Sequence, residues 1–464
     1  MARLVYSASS KRISWETESG VATLCCVGTT DKKPDSKQIE FQTILGILQV
    51  EKNEYCEEFL ACVTKSTLTG LYDGIEIYKI DKIRFLNINE PDRADEIMSQ
   101  VKGFMQSHDF YYFSASLFIE DEFVWNKHMK DNLLKYFGPN PHRWILSHRP
   151  ERQSLNLGIS TLFCGFFAAK AFKVSEDFYH MKLLSLVSSS RVGTRYLCRG
   201  IDNEGNASLF VKTHFLTKRN NITIFDFTII RGSVPIFWNQ MEYGISTKIN
   251  IYGDEDGVRK AFAKHFKKLK REYGKVHVIN LLGEKKHEKQ LTLHFNRLLD
   301  LEDIPHTTFD LNAHANNYDD LKFLLYFKLQ SIDMKDTVFR VNCLDCLDRT
   351  NVAQSLICMF YFEKVVRSEE VLKKMQECWA DNGNSLSNLY TGSDAMKREL
   401  ALKGRRSFIG YMDDFVISAT RLINGRFTDR QKHSIINVLL EKKEDSEEIG
   451  ALSLDMEIIN RPIS

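Results

Sequence analysis

The residues of this chain best suited to chemistry lie in one short segment, residues 340–351, which reads Arg-Val-Asn-Cys-Leu-Asp-Cys-Leu-Asp-Arg-Thr-Asn. Cys343 and Arg349 bracket five residues, two of which are aspartates. Displacement at the phosphorus of a phosphomonoester needs a nucleophile that is anionic near neutral pH, and donors for three equatorial oxygens. A cysteine followed six positions later by an arginine supplies both groups, so the spacing predicts a phosphate-binding loop.

The residues around this pair favour the interpretation over chance. Of the ten cysteines, only Cys343 has an arginine six positions later. It follows an apolar β-type run, residues 337–342, and precedes a predicted helix that starts at Asn351 and that Thr350 or Asn351 can cap. One side of that helix is apolar at helical spacing, with Val352, Leu356, Met359 and Phe360. A loop that opens onto a helix N-terminus favours an anion and lowers the pKa of a thiol.

The same segment resembles the signature of the Sac family of phosphoinositide phosphatases, Arg-x-Asn-Cys-x-Asp-Cys-Leu-Asp-Arg-Thr-Asn, at every fixed position. Where the family usually has Thr, this chain has Val341, which removes a hydroxyl beside the loop. Other family-typical stretches occur in the family's order, so the resemblance covers roughly residues 60–440. These stretches are residues 191–196, 199–202, 231–238, 379–383, 392, 395–397 and 404–406.

The resemblance implies a reaction through a phosphocysteine, without a cofactor or a metal. Cys343 attacks phosphorus while Arg349 and the loop amides hold the phosphoryl oxygens. Asp345 protonates the leaving alkoxide and then activates water. Asp348 is expected to orient Arg349 or neighbouring N–H groups, and Arg340 to pair with a loop acid. The residues expected to bind the substrate or support the loop are Arg340, Asn342, Leu344, Cys346, Leu347, Asp348 and Thr350.

Other interpretations of the segment stay open. Cys343-x-x-Cys346 is also a spacing for a metal site, although no second Cys or His pair at ligand spacing accompanies it. Cys346 is either a structural thiol or a reversible partner that protects Cys343 on oxidation. A non-catalytic scaffold of the same fold would bind phosphoinositides or proteins without needing the nucleophile. A protein tyrosine phosphatase is disfavoured, because no His precedes Cys343 and the loop contains no Gly.

Composition restricts the class of protein. The chain has 464 residues and a mass of 53.8 kDa, which is long enough for two domains. With 43% hydrophobic and 27% charged residues, it is globular. A net charge of +2 argues against a nucleic-acid partner. Ten cysteines without regular spacing are typical of reduced thiols in an intracellular protein.

The pattern along the chain predicts an α/β protein with two domains. Short apolar runs between turn residues indicate a β-rich N-terminal domain, residues 1–150, which also contains helical patterns at 96–105 and 122–137. In residues 151–464 strands and helices alternate, which predicts a catalytic α/β domain with a largely parallel central sheet. Its clearest helix spans 258–273, with acids ahead of it and Gly274 after it, and an apolar strand follows at 276–282.

No segment is predicted to cross a membrane. The longest uncharged stretch, residues 153–169, is short and polar for a bilayer span and reads as a buried strand. Five basic side chains between residues 264 and 271 of the predicted helix favour a solvated helix face over a membrane contact. They are Lys264, Lys267, Lys268, Lys270 and Arg271. Lys397, Arg405 and Arg406 are the better candidates for attracting an anionic lipid.

The resemblance implies a lipid substrate. The expected substrate is phosphatidylinositol 4-phosphate, with the 3-phosphate and other phosphoinositides as alternatives. The expected location is the cytosolic face of an internal membrane, to which a protein partner could recruit the chain. Because the head group stays at the bilayer surface, the mouth of the loop should be electropositive and fairly flat.

Overall fold

The computed structural model describes the greater part of the chain. The described residues are 2–7, 12–17, 20–25, 36–52, 55–90, 93, 95–114, 119–135, 158–194, 196–243, 246–284, 286–314, 318–333, 337–393, 395 and 429–442.

Three sheets contain the described strands. The first is a small antiparallel sheet with the order β3-β2-β1-β4, made of β1 (Ala2–Ser7), β2 (Arg12–Thr17), β3 (Gly20–Cys25) and β4 (Ser36–Phe41). The second is a sheet of eleven strands, and the third is the hairpin of β13 (Trp238–Tyr243) and β14 (Ser246–Ile251). The strands of the large sheet are β5 (Thr43–Lys52), β6 (Tyr55–Tyr72), β7 (Ile75–Asn87), β8 (Phe110–Phe113), β9 (Thr161–Val174), β10 (Asp177–Val187), β11 (Val211–Arg219), β12 (Ile222–Arg231), β15 (Lys275–Asn280), β16 (His306–Thr308) and β17 (Thr337–Asn342).

Helices connect or cover these strands. The described ones are α1 (Glu96–Ser107), α2 (Lys127–Lys135), α3 (Glu255–Tyr273), α4 (Lys286–Leu301), α5 (Leu311–His314), α6 (Tyr318–Leu329), α7 (Asp348–Phe362), α8 (Glu369–Thr391) and α9 (Asp429–Leu439). The predicted helix at 258–273 is confirmed as α3, where the Asp254 side chain accepts from the Gly257 N–H at 3.2 Å and Gly274 ends the helix at φ 74°. Within the described residues, no helix is both long enough and apolar enough to cross a bilayer.

The α/β class is confirmed, but the prediction of a largely parallel sheet is wrong. The strand order is β16-β15-β17-β12-β11-β10-β9-β8-β7-β6-β5, and only the pairings among the first four strands are parallel. The strands from β5 to β12 pair antiparallel with their neighbours, several across tight turns such as Asn220-Asn221, where both residues have positive φ. A tight turn can join only antiparallel strands, whereas α3, α4 and α6 supply the long crossovers that parallel strands need.

The predicted division at residue 150 lies outside the described residues. The large sheet runs across it, because β8 pairs with β9 from Phe110↔Cys164 to Phe113↔Thr161. The division into residues 1–150 and 151–464 therefore stays a prediction.

Three hydrophobic clusters surround the large sheet. The α7 cluster lies between β17 and α7 and includes Phe339, Val341 and Leu356. The α3 cluster lies where α3 and α4 cover β15 and includes Val278, Phe262 and Phe295. The α1 cluster joins α1 to the β5–β9 region and to α8 and α9, with members Val101, Leu162, Leu386 and Ile436.

Candidate active site

The candidate loop connects β17 to α7 at the end of the parallel part of the sheet. β17 lies between β15 and β12, with Asn342 opposite Asn280 and Val341 opposite Arg231. Because these strands are parallel, their carboxyl ends meet at one edge, and the loop leaves the sheet there. The predicted strand 337–342 is confirmed as β17, which ends at the residue before Cys343.

Helix α7 begins earlier than predicted, at Asp348, and neither Thr350 nor Asn351 caps it. Both side chains are already engaged. The Thr350 hydroxyl donates to Cys343 Sγ at 3.2 Å. Asn351 accepts from Arg231 Nη2 at 3.2 Å and donates to the Trp379 carbonyl at 3.1 Å. The helix is also buried on every side from Thr350 to Phe362, so the one-sided apolar face was only part of its contact surface.

The thiol of Cys343 lies at the centre of the loop and is 2% exposed. The backbone N–H of Cys346 donates to its sulfur at 3.1 Å, and the Thr350 hydroxyl donates at 3.2 Å. Burial raises the pKa of Cys343, but hydrogen bonding from Cys346, the Arg349 charge and the Thr350 hydroxyl together outweigh it and lower the pKa to about 6. The sulfur is therefore held as a thiolate near neutral pH.

Cys346 supports this thiolate as a neutral neighbour. Its backbone has φ 51°, a left-handed conformation that turns its N–H toward Cys343. Its own Sγ donates to the Gly232 carbonyl at 2.9 Å. Burial raises the pKa of Cys346 well above the ordinary value, and the adjacent Cys343 adds to this effect. The pair thus separates into one ionised sulfur and one protonated sulfur.

Arg349 lies in the first turn of α7 and is bound by Glu288 of α4. Nη2 of Arg349 donates to Glu288 Oε1 at 2.8 Å, and Nη1 donates to Glu288 Oε2 at 3.1 Å and to the Leu281 carbonyl at 3.3 Å. Burial lowers the pKa of Arg349, but the charges of Cys343 and Glu288 outweigh it and raise the pKa. Glu288 was missed by the sequence analysis, because it lies 61 residues before its partner and no local pattern marks it.

Asp345 is 36% exposed at its side chain and pairs with the buried Arg199, whose Nη2 lies 2.5 Å from Asp345 Oδ1. Arg199 also donates to the Leu344 carbonyl at 2.9 Å and to Gln240 Oε1 at 2.8 Å. Its guanidinium lies 5.3 Å from the centre of the Trp238 ring. Arg199 therefore holds the candidate acid and the loop backbone at once. The stretch around Arg199 resembles the family in sequence, but its residue types alone predict no role for Arg199.

The expectation that Arg340 pairs with a loop acid is wrong. Arg340 donates from Nη2 to the Ser233 carbonyl at 2.6 Å, from Nη1 to Asn342 Oδ1 at 3.3 Å and from Nε to His265 Nε2 at 3.2 Å. His265 can accept there because its Nδ1 faces the Gly205 carbonyl at 2.9 Å, so the proton is on Nδ1. Burial and the Arg340 charge keep the pKa of His265 well below its ordinary value. Strand alternation places Arg340 on the same face of β17 as Asn342, and on that face Arg340 contacts His265 of α3.

The loop contributes side chains to all three hydrophobic clusters. Cys343 belongs to the α7 cluster, Leu344 to the α3 cluster, and Cys346 and Leu347 to the α1 cluster. Val341, the departure from the family pattern, is fully buried in the α7 cluster, where a hydroxyl would need a partner. Leu344 and Leu347 thus anchor the loop by packing.

Asp348 is half-buried in the first turn of α7, where a carboxylate favours the helix N-terminus. Its role in orienting Arg349 stays a prediction.

The basic residues predicted to attract an anionic lipid, Lys397, Arg405 and Arg406, lie outside the described residues. On α3, Lys264 donates to Glu204 at 3.1 Å and Lys268 donates to Glu122 at 2.8 Å, so two of the five basic side chains between residues 264 and 271 have intramolecular partners.

Comparison with known proteins identifies the family. The model of the SacI homology domain matches residues 42–316, more than half of the chain. The inositol-1,4,5-trisphosphate 5-phosphatase 1 of Schizosaccharomyces pombe is 33% identical over 350 residues, which cover 69% of this chain and 32% of that protein. The phosphatidylinositide phosphatase SAC2 of Danio rerio is 29% identical over 370 residues, with the same coverage of 69% and 32%.

Synaptojanin-1 of Homo sapiens is 26% identical over 457 residues, which cover 87% of this chain and 27% of that protein. The chain thus spans about a third or less of the length of these relatives. The match over more than half of its residues shows that the chain belongs to the SacI homology domain family.

Proposed function

We propose that this protein is a phosphoinositide phosphatase that removes the 4-phosphate of phosphatidylinositol 4-phosphate through a phosphocysteine intermediate. The observation that carries the proposal is the buried Cys343 sulfur, which receives two hydrogen bonds and has its pKa lowered to about 6. A structural thiol gains nothing from such donors, whereas a nucleophile needs them. The family and the names of the relatives supply the substrate class. Preference for the 4-phosphate rests on the resemblance of the sequence alone.

In the first step the Cys343 thiolate attacks phosphorus and forms an S–P bond while the P–O bond to the inositol breaks. The inositol oxygen takes a proton from Asp345 and leaves as an alcohol. Arg349 and the loop N–H groups hold the phosphoryl oxygens and stabilise the charge that develops on them. A dianionic substrate beside Asp345 favours the protonated carboxyl that this step requires.

In the second step water replaces the sulfur. Asp345, now a carboxylate, takes a proton from water while the water oxygen bonds to phosphorus and the S–P bond breaks. Inorganic phosphate leaves and the Cys343 thiolate is restored. Arg199 suits this step, because its ion pair with Asp345 favours the carboxylate form.

The substrate is expected at a membrane surface, with the chain acting as a peripheral protein on the cytosolic side. A lipid phosphate then has to reach a sulfur that is almost fully covered in the absence of substrate. Rearrangement of side chains around the loop must therefore accompany binding.

The proposal is tested by measuring phosphate release from a panel of short-chain phosphoinositides and from a phosphotyrosine peptide. We expect the full chain to hydrolyse the lipids, with phosphatidylinositol 4-phosphate the best substrate, and Cys343→Ser to abolish the activity. Equal inactivity of both proteins on every lipid would instead support the non-catalytic scaffold. Hydrolysis of the peptide alone would indicate a protein phosphatase.

A further inference from the structure

Glu288 is a buried acid that the reaction described above does not use. It is 4% exposed and lies in the first turn of α4, where the Gly283 N–H donates to its Oε2 at 2.8 Å. Both of its oxygens also accept from Arg349. Burying a carboxylate is costly unless it is paired and hydrogen-bonded, so this acid is held where it is by its contact with Arg349 and the turn before α4.

The pairing leaves one edge of the Arg349 guanidinium available. A guanidinium has five N–H groups in one plane. Glu288 accepts one N–H from each Nη nitrogen across the end of the group, and the Leu281 carbonyl faces the outer N–H of Nη1. The opposite edge, formed by Nε and the second N–H of Nη2, has no hydrogen-bond partner in the described part of the chain. Two parallel N–H groups of this kind fit two oxygens of a phosphoryl group.

We propose that Glu288 is a positioning residue that holds Arg349 with its Nε–Nη2 edge toward the phosphoryl group. The inference rests on the proposed function. Fixing an arginine costs side-chain entropy, and the Glu288 pair fixes Arg349 before the substrate arrives. Glu288 also balances the Arg349 charge while the site is empty. It does not compete for the phosphate, because it binds the end of the guanidinium and not the side edge.

The contact between Glu288 and Arg349 has an alternative interpretation, and the activity of variants distinguishes the two. If Glu288 instead withheld Arg349 from the phosphate, its removal would free the guanidinium and raise activity. If Glu288 instead positions Arg349, its removal should lower activity. Glu288→Gln keeps the shape but replaces one acceptor oxygen by an NH2 group that faces an N–H of Arg349. The guanidinium then loses its fixed orientation.

The test measures kcat, KM and vanadate affinity of the full chain with a short-chain phosphatidylinositol 4-phosphate as substrate. We expect Glu288→Gln to lower kcat by about 10- to 100-fold, with a smaller change in KM, because the arginine contact strengthens in the transition state. Vanadate, which imitates the trigonal phosphoryl group, should bind about 10-fold more weakly or worse. Glu288→Asp keeps the charge and should recover part of both losses.

Two controls test whether Glu288→Gln acts through Arg349 or through the nucleophile. Alkylation of Cys343 by iodoacetamide reports the nucleophile directly, and its rate should stay within about threefold of the wild type in Glu288→Gln, because Arg349 keeps its charge. In the Arg349→Lys background, Glu288→Gln should weaken vanadate binding no further. If Glu288→Gln fails to fold, Glu288→Asp supplies the same comparisons with its shorter side chain.

The inference is overturned if the wild type hydrolyses the lipid and a folded Glu288 variant matches or exceeds it. It is also overturned if Glu288→Gln weakens vanadate binding equally with and without Arg349. A wild type that is inactive on every lipid overturns the proposed function instead, and vanadate binding then still reports whether Glu288 orients Arg349.

Discussion

The hydroxyl of Thr350 offers the sharpest test of how the loop ionises Cys343. It donates to Cys343 Sγ at 3.2 Å, and Thr350 is fully buried, so water cannot take over its role. Thr350→Val keeps the shape of the side chain and removes the donor. The thiolate loses one of its two described donors, so the pKa of Cys343 should rise.

The size of the effect follows from the hydrogen bond. A hydrogen bond to a charged group is worth about 1.5 kcal/mol at the low end, and about 1.4 kcal/mol changes the acid dissociation constant tenfold. With the pKa of Cys343 at about 6 in the wild type, the variant should have a pKa near 7. The thiolate fraction then falls about fivefold at pH 6 and about twofold at pH 7, and it hardly changes at pH 8.

The assay follows alkylation of Cys343 by iodoacetamide between pH 5 and pH 8.5, with peptide mapping to separate it from the exposed Cys56. The wild-type rate should rise with pH and level off above about pH 7, because the lowered pKa lets the thiolate form early. The Thr350→Val curve should lie about one pH unit higher. Thr350→Ser retains the donor and should follow the wild type. A folded Thr350→Val protein with an unmoved curve would refute the reasoning.

Two further predictions concern the acid and the sheet. Arg199→Met removes the cation from Asp345 and should lower kcat by about 10- to 100-fold, since the acid loses its position; an unchanged kcat in a folded variant would make Arg199 purely structural. Gly165→Ala should lower the free energy of unfolding by at least about 2 kcal/mol in chemical denaturation, because φ is +151° and the new Cβ would lie 1.9 Å from the Ser185 carbonyl oxygen. Gly103→Ala in the exposed part of α1 is the matched control and should be neutral or stabilising; equal midpoints for the two variants would contradict this.

Local patterns predicted the elements that carry the loop. The run 337–342 is β17 and the helix at 258–273 is α3, because alternation, capping acids and a terminal glycine all act within a few residues. The strand direction was predicted wrongly. The antiparallel part of the large sheet is built from strands that pair with their neighbours, and the local sequence pattern does not show which strands pair. The identity of neighbours in a sheet depends on contacts between residues far apart in the chain.

The candidate site was predicted in part for the same reason. Cys343, Asp345 and Arg349 lie together because they share one loop. The residues that hold them, Arg199 and Glu288, come from segments 146 and 61 residues away and are brought to the loop only by the fold. Charged residues are usually exposed, so no local pattern marked Arg199 or Glu288 as a buried partner of the loop.

The attachment of the loop to three separate cores makes its geometry a property of the whole domain. Four of the five residues from Cys343 to Leu347 are shared among the α7, α3 and α1 clusters, so loosening any one cluster affects a residue within four positions of the nucleophile. Opening this segment would disturb all three clusters, so its amide hydrogens should exchange more slowly than those of a loop that is anchored in one cluster. A destabilising substitution far from the loop should then reduce the fraction of molecules with a correctly assembled site. The remaining molecules should keep the normal turnover rate.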